Sequence, residues 1–270
     1  MKINKIFYIL GLTATTLGFV ACDKVEPKDR YIEMEKVKAA RVVLLEEYTG
    51  QTCTNCPDAH RTVAQLLNQY AGNLISVSIH AGNFGIPEGK YPTMVGLMQP
   101  EGDEYAQAAK VSIYPSGVVN RRSGACTMDK WSDFIRTFVQ EESNISINGR
   151  AVFKPGANNI EIYSTLSSSD NIAINYQVWV VESGIVAFQI DHGVGIQDYV
   201  HNHVYRASVN GTWGEGQNIV ANRYTELTHS IAVKSNWNVK NLKIVTFAYN
   251  NAEGVLQAAE FDIEEDAEEI

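Results

Sequence analysis

Two cysteines, Cys53 and Cys56, lie two residues apart where a strand-like segment gives way to a helix-like one. The preceding segment, residues 41–48, is an apolar run that suits a buried strand. After the pair, apolar residues recur at a spacing typical of one helix face: Ala59, Val63, Leu66, Leu67 and Tyr70. Because a helix N-terminus carries partial positive charge, it favours a thiolate at Cys53. We therefore expect Cys53 to attack a substrate disulfide and Cys56 to resolve the mixed disulfide.

The rest of this region continues to alternate between strand and helix patterns. A strand over 74–79, a Gly- and Pro-rich loop over 81–100, a helix over 101–110, a strand over 116–121 and an amphipathic helix over 129–142 are expected in that order. Such an order predicts a parallel or mixed sheet covered by helices. We therefore assign residues 40–144 to an α/β domain.

The pattern changes near residue 144. Short β-like runs separated by Gly, Asn, Ser and Asp follow over 145–153, 159–166, 172–181, 186–190, 200–209, 225–233, 242–249 and 256–263. Many short strands with turn signals between them favour an antiparallel sandwich. The sequence thus predicts an all-β domain over 145–264 and a short acidic tail over 265–270.

The N-terminus has the three parts of an export signal. Lys2 and Lys5 precede an uncharged apolar stretch, residues 6–20, and the small residue Ala21 stands before Cys22. We interpret 1–21 as a lipoprotein signal peptide, Cys22 as the lipidated residue and 22–39 as a polar tether. An ordinary cleaved signal or a short membrane anchor are the alternatives, although the apolar stretch is short for a spanning helix. Export places the cysteines in a compartment that permits disulfides.

The net charge is −9, which bears on the partners of the chain. Nucleic-acid binding requires basic patches, so nucleic acid is not an expected partner. An acidic chain is not drawn to anionic lipid either. Membrane attachment is therefore expected to come from acyl chains on Cys22.

Residues 40–143 resemble thioredoxin in the order of strand, Cys-x-x-Cys at a helix start, strand, helix and then a Pro before the next strand. Tyr114 and Pro115 occupy the place of that Pro and its neighbour. The resemblance implies a cis Pro115 that shapes a substrate groove, and a buried acid, Glu47, that moves protons at the second cysteine. The residues around the cysteines depart from the common pattern, so the direction of redox chemistry stays open.

A second resemblance covers nearly all of the chain behind the signal. The segments Tyr-Val-His-Asn-His-Val-Tyr-Arg-Ala at 199–207 and Gly-Thr-Trp-Gly-Glu at 211–215 resemble motifs of the Omp28-related outer membrane lipoproteins. This resemblance implies attachment to the outer membrane of the cell envelope. It supplies no defined activity.

Two functions therefore remain open. The first is thiol–disulfide exchange with envelope proteins through Cys53 and Cys56, with no cofactor beyond their disulfide and no metal. The second is a non-enzymatic surface binding or adhesion protein in which this disulfide is structural. Burial of Cys53 beneath the loop over 82–100 would favour the second. In a strand His201 and His203 would face the same side, and their role, like the ligand, the membrane face and the oligomeric state, stays open.

Overall fold

The computed structural model describes residues 39–266. The predicted signal peptide, Cys22 and nearly all of the predicted tether lie outside these residues. The part before residue 144 contains β1 (Ala39–Ala40), β2 (Val43–Thr49), α1 (Cys56–Gln69), β3 (Leu74–His80), α2 (Pro100–Ala108), β4 (Ser116–Val119), α3 (Met128–Phe138) and β5 (Glu142–Ser143). Within the described residues no helix is long and apolar enough to cross a membrane.

The remainder is β-rich. Its strands are β6 (Ile145–Lys154), β7 (Asn159–Ser168), β8 (Ile172–Glu182), β9 (Ile185–Asp191), β10 (Val194–His201), β11 (Val204–Ser208), β12 (Glu215–Ile219), β13 (Tyr224–Ala232), β14 (Leu242–Asn250) and β15 (Gly254–Glu265). The run predicted as one strand over 200–209 is two strands. It breaks because His203 adopts a left-handed conformation with φ of 57°, which a continuous strand does not allow.

One large mixed sheet crosses the position at which the sequence pattern changes. Its strand order is β13-β7-β6-β15-β14-β8-β11-β3-β2-β4, with β12 also paired to β8. The link between the two sequence segments is β11, which pairs parallel to β3 through Val204 and Ser78 and antiparallel to β8. The described residues belong to one compact unit. The chain is therefore mostly β. The predicted domain boundary at 144/145 stays a prediction, and the large sheet contains strands from both sides of it.

The strands around β2 carry the cysteine pair. β2 runs parallel to β3 and antiparallel to β4, and every residue of β2 is buried. On one side α1 and α3 pack through Val63, Leu66, Trp131 and Ile135. Because both faces of β2 are covered, its continuous apolar run is the pattern expected of a fully buried strand.

The core on the other side joins residues from both halves of the sequence. Tyr105 of α2 lies with Tyr48, Trp179 and Phe247 in one apolar cluster. A further cluster is formed by side chains of β6 and β7 against those of β8, β14 and β15. The expectation of a purely antiparallel second half is corrected at two places, since β15 pairs parallel to β6 and β11 pairs parallel to β3.

Candidate functional site

Cys53 and Cys56 form a disulfide at the start of α1, with their Cα atoms 5.4 Å apart. Cys56 is the first residue of α1 and Pro57 follows it, where the absence of an amide hydrogen costs nothing. The side chains are almost completely buried, at 2% exposure for Cys53 and 0% for Cys56. The two sulfurs therefore lie beneath the surface of the protein.

The cover over the cysteine loop, residues 50–55, comes from the β-rich half. β9 and β10 pair as a two-stranded hairpin, which we call the covering hairpin. Its Ile190 amide donates a hydrogen bond of 2.8 Å to the Gln51 carbonyl, and its His192 amide donates one of 2.9 Å to the Thr54 carbonyl. The side-chain amide of Gln189 donates to the Cys53 carbonyl at 3.1 Å. These bonds fix the covering hairpin along the backbone of the cysteine loop.

A second cover is supplied by residues 82–98. The Thr52 amide donates to the Phe84 carbonyl at 3.0 Å, and the Leu97 amide donates to the side-chain oxygen of Gln51 at 3.0 Å. Gly50 permits this approach, because a Cβ atom there would lie 2.4 Å from the Phe84 carbonyl carbon. Residues 82–98 thus lie against the cysteine loop and help to shield the two cysteines from solvent.

Glu47 lies on β2 and is fully buried. Its Oε2 accepts a hydrogen bond of 2.7 Å from the Ser78 hydroxyl, and its Oε1 lies 3.5 Å from Nε2 of His60. Burial raises the pKa of the carboxyl from 4.5 to about 7, although the Ser78 hydrogen bond acts in the opposite direction. Glu47 therefore titrates near neutral pH instead of carrying a fixed charge.

Four histidines, His60, His80, His201 and His203, line a cavity of about 190 Å³ together with Glu47. Burial lowers the pKa of His60 to about 4 and that of His201 to about 3, and it also holds the pKa of His80 well below its ordinary value. Tyr199 of the covering hairpin lies at the cavity wall, with its hydroxyl 2.8 Å from Nδ1 of His60. The cavity is therefore lined by neutral imidazoles at neutral pH.

The cavity does not have the form of a metal centre. In residues 39–266 no three His, Cys, Asp or Glu side chains are placed to hold a metal ion. His201 ends β10 and His203 precedes β11, so the two do not belong to one strand, although both line this cavity. The carbonyl of His203 accepts a hydrogen bond from the Ser78 amide at 2.7 Å.

Tyr114 and Pro115 lie before β4 and are half-buried. The peptide bond between them is cis, as the thioredoxin resemblance implies. The Tyr114 ring packs on Phe84, with centroids 5.4 Å apart. Since Phe84 also accepts the hydrogen bond from Thr52, the second cover connects Tyr114 to the cysteine loop.

Charged side chains at the surface add to the contact between α1 and the covering hairpin. Arg61 of α1 lies 3.2 Å from Asp191 and 2.5 Å from Asp58, and His192 lies 3.3 Å from Asp58. Sequence reasoning did not identify this contact or the backbone bonds of Gln189 and Ile190. They join residues some 130 positions apart, and neither spacing nor composition signals such contacts.

The chain is thus a mostly β protein with one large mixed sheet, a shielded disulfide and a polar cavity lined by histidines and Glu47. Comparison with protein families gives a match to "Outer membrane protein Omp28" over residues 102–267. The chain belongs to this family. Membership confirms the predicted location in the cell envelope at the outer membrane.

Solved structures extend the comparison. HBP35 of Porphyromonas gingivalis is similar with a TM-score of 0.67 and 15% identity, over 84% of this chain and 78% of that one. At this identity the similarity concerns the fold alone. A domain of the outer membrane lipoprotein Omp28 from Porphyromonas gingivalis is 21% identical over 46% of this chain and 92% of that domain, with a TM-score of 0.34. No curated protein matches the sequence.

Proposed function

We propose that this protein is a non-enzymatic binding protein of the outer membrane, in which the Cys53–Cys56 disulfide staples the fold. The observation that carries the proposal is the burial of both cysteines beneath two covers. Thiol–disulfide exchange requires an attacking thiolate to reach one sulfur. Here the carbonyl of Gln51, before the pair, and that of Thr54, between the two cysteines, already accept hydrogen bonds from the covering hairpin. An incoming chain would have to displace those bonds.

The finer description of the fold belongs to the same proposal. We assign residues 40–144 to a thioredoxin-like unit, supported by the parallel pair β2–β3, the antiparallel β4 and the cysteines at the start of α1. We assign 145–264 to a sandwich, supported by the apolar core between β6–β7 and β8–β14. Fold alone does not define an activity, so a thioredoxin-like unit is compatible with a binding role.

Thiol–disulfide exchange is the second candidate, and Glu47 favours it. A carboxyl group with a pKa of about 7 can accept or donate a proton at neutral pH. In that mechanism a dithiol of the envelope first reduces the Cys53–Cys56 disulfide and is itself oxidised. The Cys53 thiolate then attacks a disulfide of an envelope protein, and Cys56 displaces that protein as a dithiol while the Cys53–Cys56 bond forms again. Tyr114 and Pro115 shape the groove. No cofactor is needed, but the covering hairpin must first move away from the cysteine loop.

We also propose attachment to the membrane through acyl chains on Cys22. This attachment is compatible with both candidate functions. A Cys22→Ser variant is expected to leave the membrane fraction. Retention of that variant in the outer membrane would contradict this mode of attachment.

The proposed function is tested by measuring whether the disulfide can be reduced in the chain from Asp23 onward. The protein carries Cys126→Ser, so that alkylation reports on Cys53 and Cys56 alone. The folded chain is equilibrated in glutathione buffers and the thiols are trapped by alkylation. We expect the pair to stay oxidised when folded and to become reducible in concentrated urea, which exposes it. Reduction of the folded chain, with Cys53 the only fast-alkylating thiol and no such reaction in Cys53→Ser, would favour exchange.

A further inference from the structure

An exposed tryptophan is held in a fixed position on the side of the sheet where α2 lies. Trp213 is 43% exposed, yet its carbonyl accepts a hydrogen bond of 2.6 Å from the Tyr249 hydroxyl. The preceding carbonyl, of Thr212, accepts one of 2.6 Å from the Tyr105 hydroxyl. The Tyr105 and Trp213 rings meet edge to face with centroids 5.2 Å apart. Two tyrosines from different elements therefore fix the backbone that presents this indole.

The loop before β12 is also anchored to β8. The side-chain amide of Asn210 donates to the Tyr176 carbonyl at 2.8 Å and its oxygen accepts from the Val178 amide at 3.0 Å. Gly214 has a φ of 69°, and a Cβ atom there would lie 2.3 Å from the Tyr176 carbonyl oxygen. The loop is thus fixed against β8. A ligand that binds Trp213 would not have to order this loop, so binding would lose little conformational entropy.

Two hollows open on either side of Trp213, and together we call them the Trp213 groove. One has a volume of about 290 Å³ and includes Tyr48 and Tyr105 in its wall. The other has a volume of about 330 Å³ and includes Asn175 and Tyr249. Trp213 and Arg121 line both hollows. A concave, partly aromatic surface with a few polar groups is the usual form of a small-molecule site.

The charge at the base of the Trp213 groove is balanced within the protein. The Arg121 guanidinium makes paired hydrogen bonds to the buried carboxylate of Glu46, at 2.9 Å from Nη2 and 3.1 Å from Nε. It also lies over aromatic rings, at 4.5 Å from the Tyr249 centroid and 4.8 Å from that of Phe247. Lys110 is a further charged side chain in the wall of the first hollow. Among the residues that the structure describes, the second hollow has no charged side chain in its wall apart from Arg121, which is already paired with a carboxylate, so this hollow suits an uncharged ligand.

We propose that the Trp213 groove binds a neutral carbohydrate, a proposal that rests on the binding role proposed above. A sugar ring has an apolar C–H face that packs on an aromatic ring, whose face carries partial negative charge. Its hydroxyl groups need partners that both donate and accept, as the side-chain amides of Asn175 and Asn251 in the second hollow can. An apolar ligand would leave these amides without partners, which disfavours it.

The test uses the full-length protein in detergent and an array of immobilised hexose and N-acetylhexosamine oligosaccharides. We expect binding to at least one of these glycans, weakened at least about tenfold by Trp213→Ala, or ~1.4 kcal/mol. Trp213→Phe keeps an aromatic face and should stay close to wild type. Tyr224→Ala removes another exposed aromatic side chain, 65% exposed on β13, and should change nothing.

Asn175→Ala provides a second variant in case Trp213→Ala disturbs the fold, which a melting curve will reveal. It should weaken binding of the same glycan without lowering stability much. Absence of glycan binding by the wild-type protein would overturn the proposal, as would equal binding by both variants and wild type. These outcomes differ from failure of the proposed function, which is read from the reducibility of the disulfide and does not involve Trp213.

Discussion

The cysteine loop and the Trp213 groove are two places where the β-rich half meets the helical half, and they differ in what they leave open. At the cysteine loop the covering hairpin lies along the backbone, and Cys53 is 2% exposed. At the Trp213 groove the loop is anchored as firmly, but the indole is 43% exposed with a hollow on each side. The motif most suggestive of chemistry is therefore enclosed, while the accessible site is built from residues of ordinary type.

The two regions also bury ionisable groups in different ways. Near the cysteine loop burial shifts the pKa values, so that His60 is neutral at pH 7 and Glu47 titrates close to that pH. At the Trp213 groove the Arg121 guanidinium instead pairs with the buried Glu46 carboxylate at 2.9 Å. A shifted pKa makes the free energy of unfolding depend on pH. A buried ion pair makes the protein sensitive to removal of either partner, because the other charge is then buried alone.

The largest effect is expected at that ion pair. Arg121→Met retains much of the side-chain volume but leaves the Glu46 carboxylate, 2% exposed, without its cation. Removing one partner of a buried pair costs about 3–5 kcal/mol, to be measured as the free energy of unfolding in urea. The double variant Glu46→Gln with Arg121→Met should recover much of this loss, since no charge is left buried. A double variant as unstable as the single one would show that Arg121 acts through packing instead.

The next effect concerns Glu47 and depends on pH. Because the folded pKa is about 7 and the ordinary value 4.5, the folded state holds this proton more tightly than the unfolded chain. Its contribution to stability is therefore lost as pH rises from 4.5 through 7. Glu47→Gln removes the titration, so relative to wild type it should gain about 3 kcal/mol between about pH 4 and about pH 8.

Urea unfolding of both proteins at several pH values measures this difference. The titration of His60, His80 and His201 is common to both proteins and largely cancels. Glu226→Gln makes the same substitution at an exposed position on β13 and serves as the matched control. A difference between Glu47→Gln and wild type that stays flat with pH would mean that Glu47 is not buried as described.

The disulfide itself should have a moderate effect. Replacing Cys53 and Cys56 by Ala removes a bond that closes a short loop, for which the chain-entropy relation gives about 2 kcal/mol. The free energy of unfolding of the double variant should fall by about this amount, while Cys126→Ser, which removes a cysteine that is in no disulfide, serves as control. If the variant were as stable as wild type, the disulfide would not act as a staple, and exchange would become the better explanation of the pair.

Much of the cysteine region follows from local sequence pattern. The apolar run predicts β2 because both of its faces are covered, and the spacing of Ala59, Val63 and Leu66 predicts the buried face of α1. Gly72, with a φ of 79°, follows the end of this helix as the sequence indicates. These features depend on neighbours a few residues apart, which periodicity records.

The features that decide function depend on distant neighbours and were not predictable. Gln189 reaches Cys53 through a backbone carbonyl, an interaction that any suitably placed amide could make. Strand alternation predicted that His201 and His203 face the same side, but a left-handed His203 interrupts the strand, and the two residues meet at one cavity by a different route. Trp213 entered the sequence analysis only as part of a family motif. Its exposure and its place beside Arg121 require the packing of α2, β8 and β14.

The smallest effect is expected at the surface ion pair between α1 and the covering hairpin. Arg61 is 52% exposed and Asp191 is 21% exposed, with 3.2 Å between Nη1 and Oδ2. Exposed pairs contribute about 0–1 kcal/mol because water screens them, so Arg61→Ala should change little. The readout is hydrogen exchange of the Ile190 and His192 amides, which reports on opening of the covering hairpin.

Arg136→Ala removes a similar exposed pair, with Asp133 on α3, and gives the matched control. Equal exchange in the two variants means that backbone hydrogen bonds hold the cover closed, so its opening does not depend on salt. Exchange that quickens by more than about tenfold in Arg61→Ala alone, about 1.4 kcal/mol, would make Arg61 a latch. High ionic strength would then weaken this pair and allow the cysteine loop to open. The difference in accessibility between the cysteine loop and the Trp213 groove would in that case depend on the salt concentration and not on the fold alone.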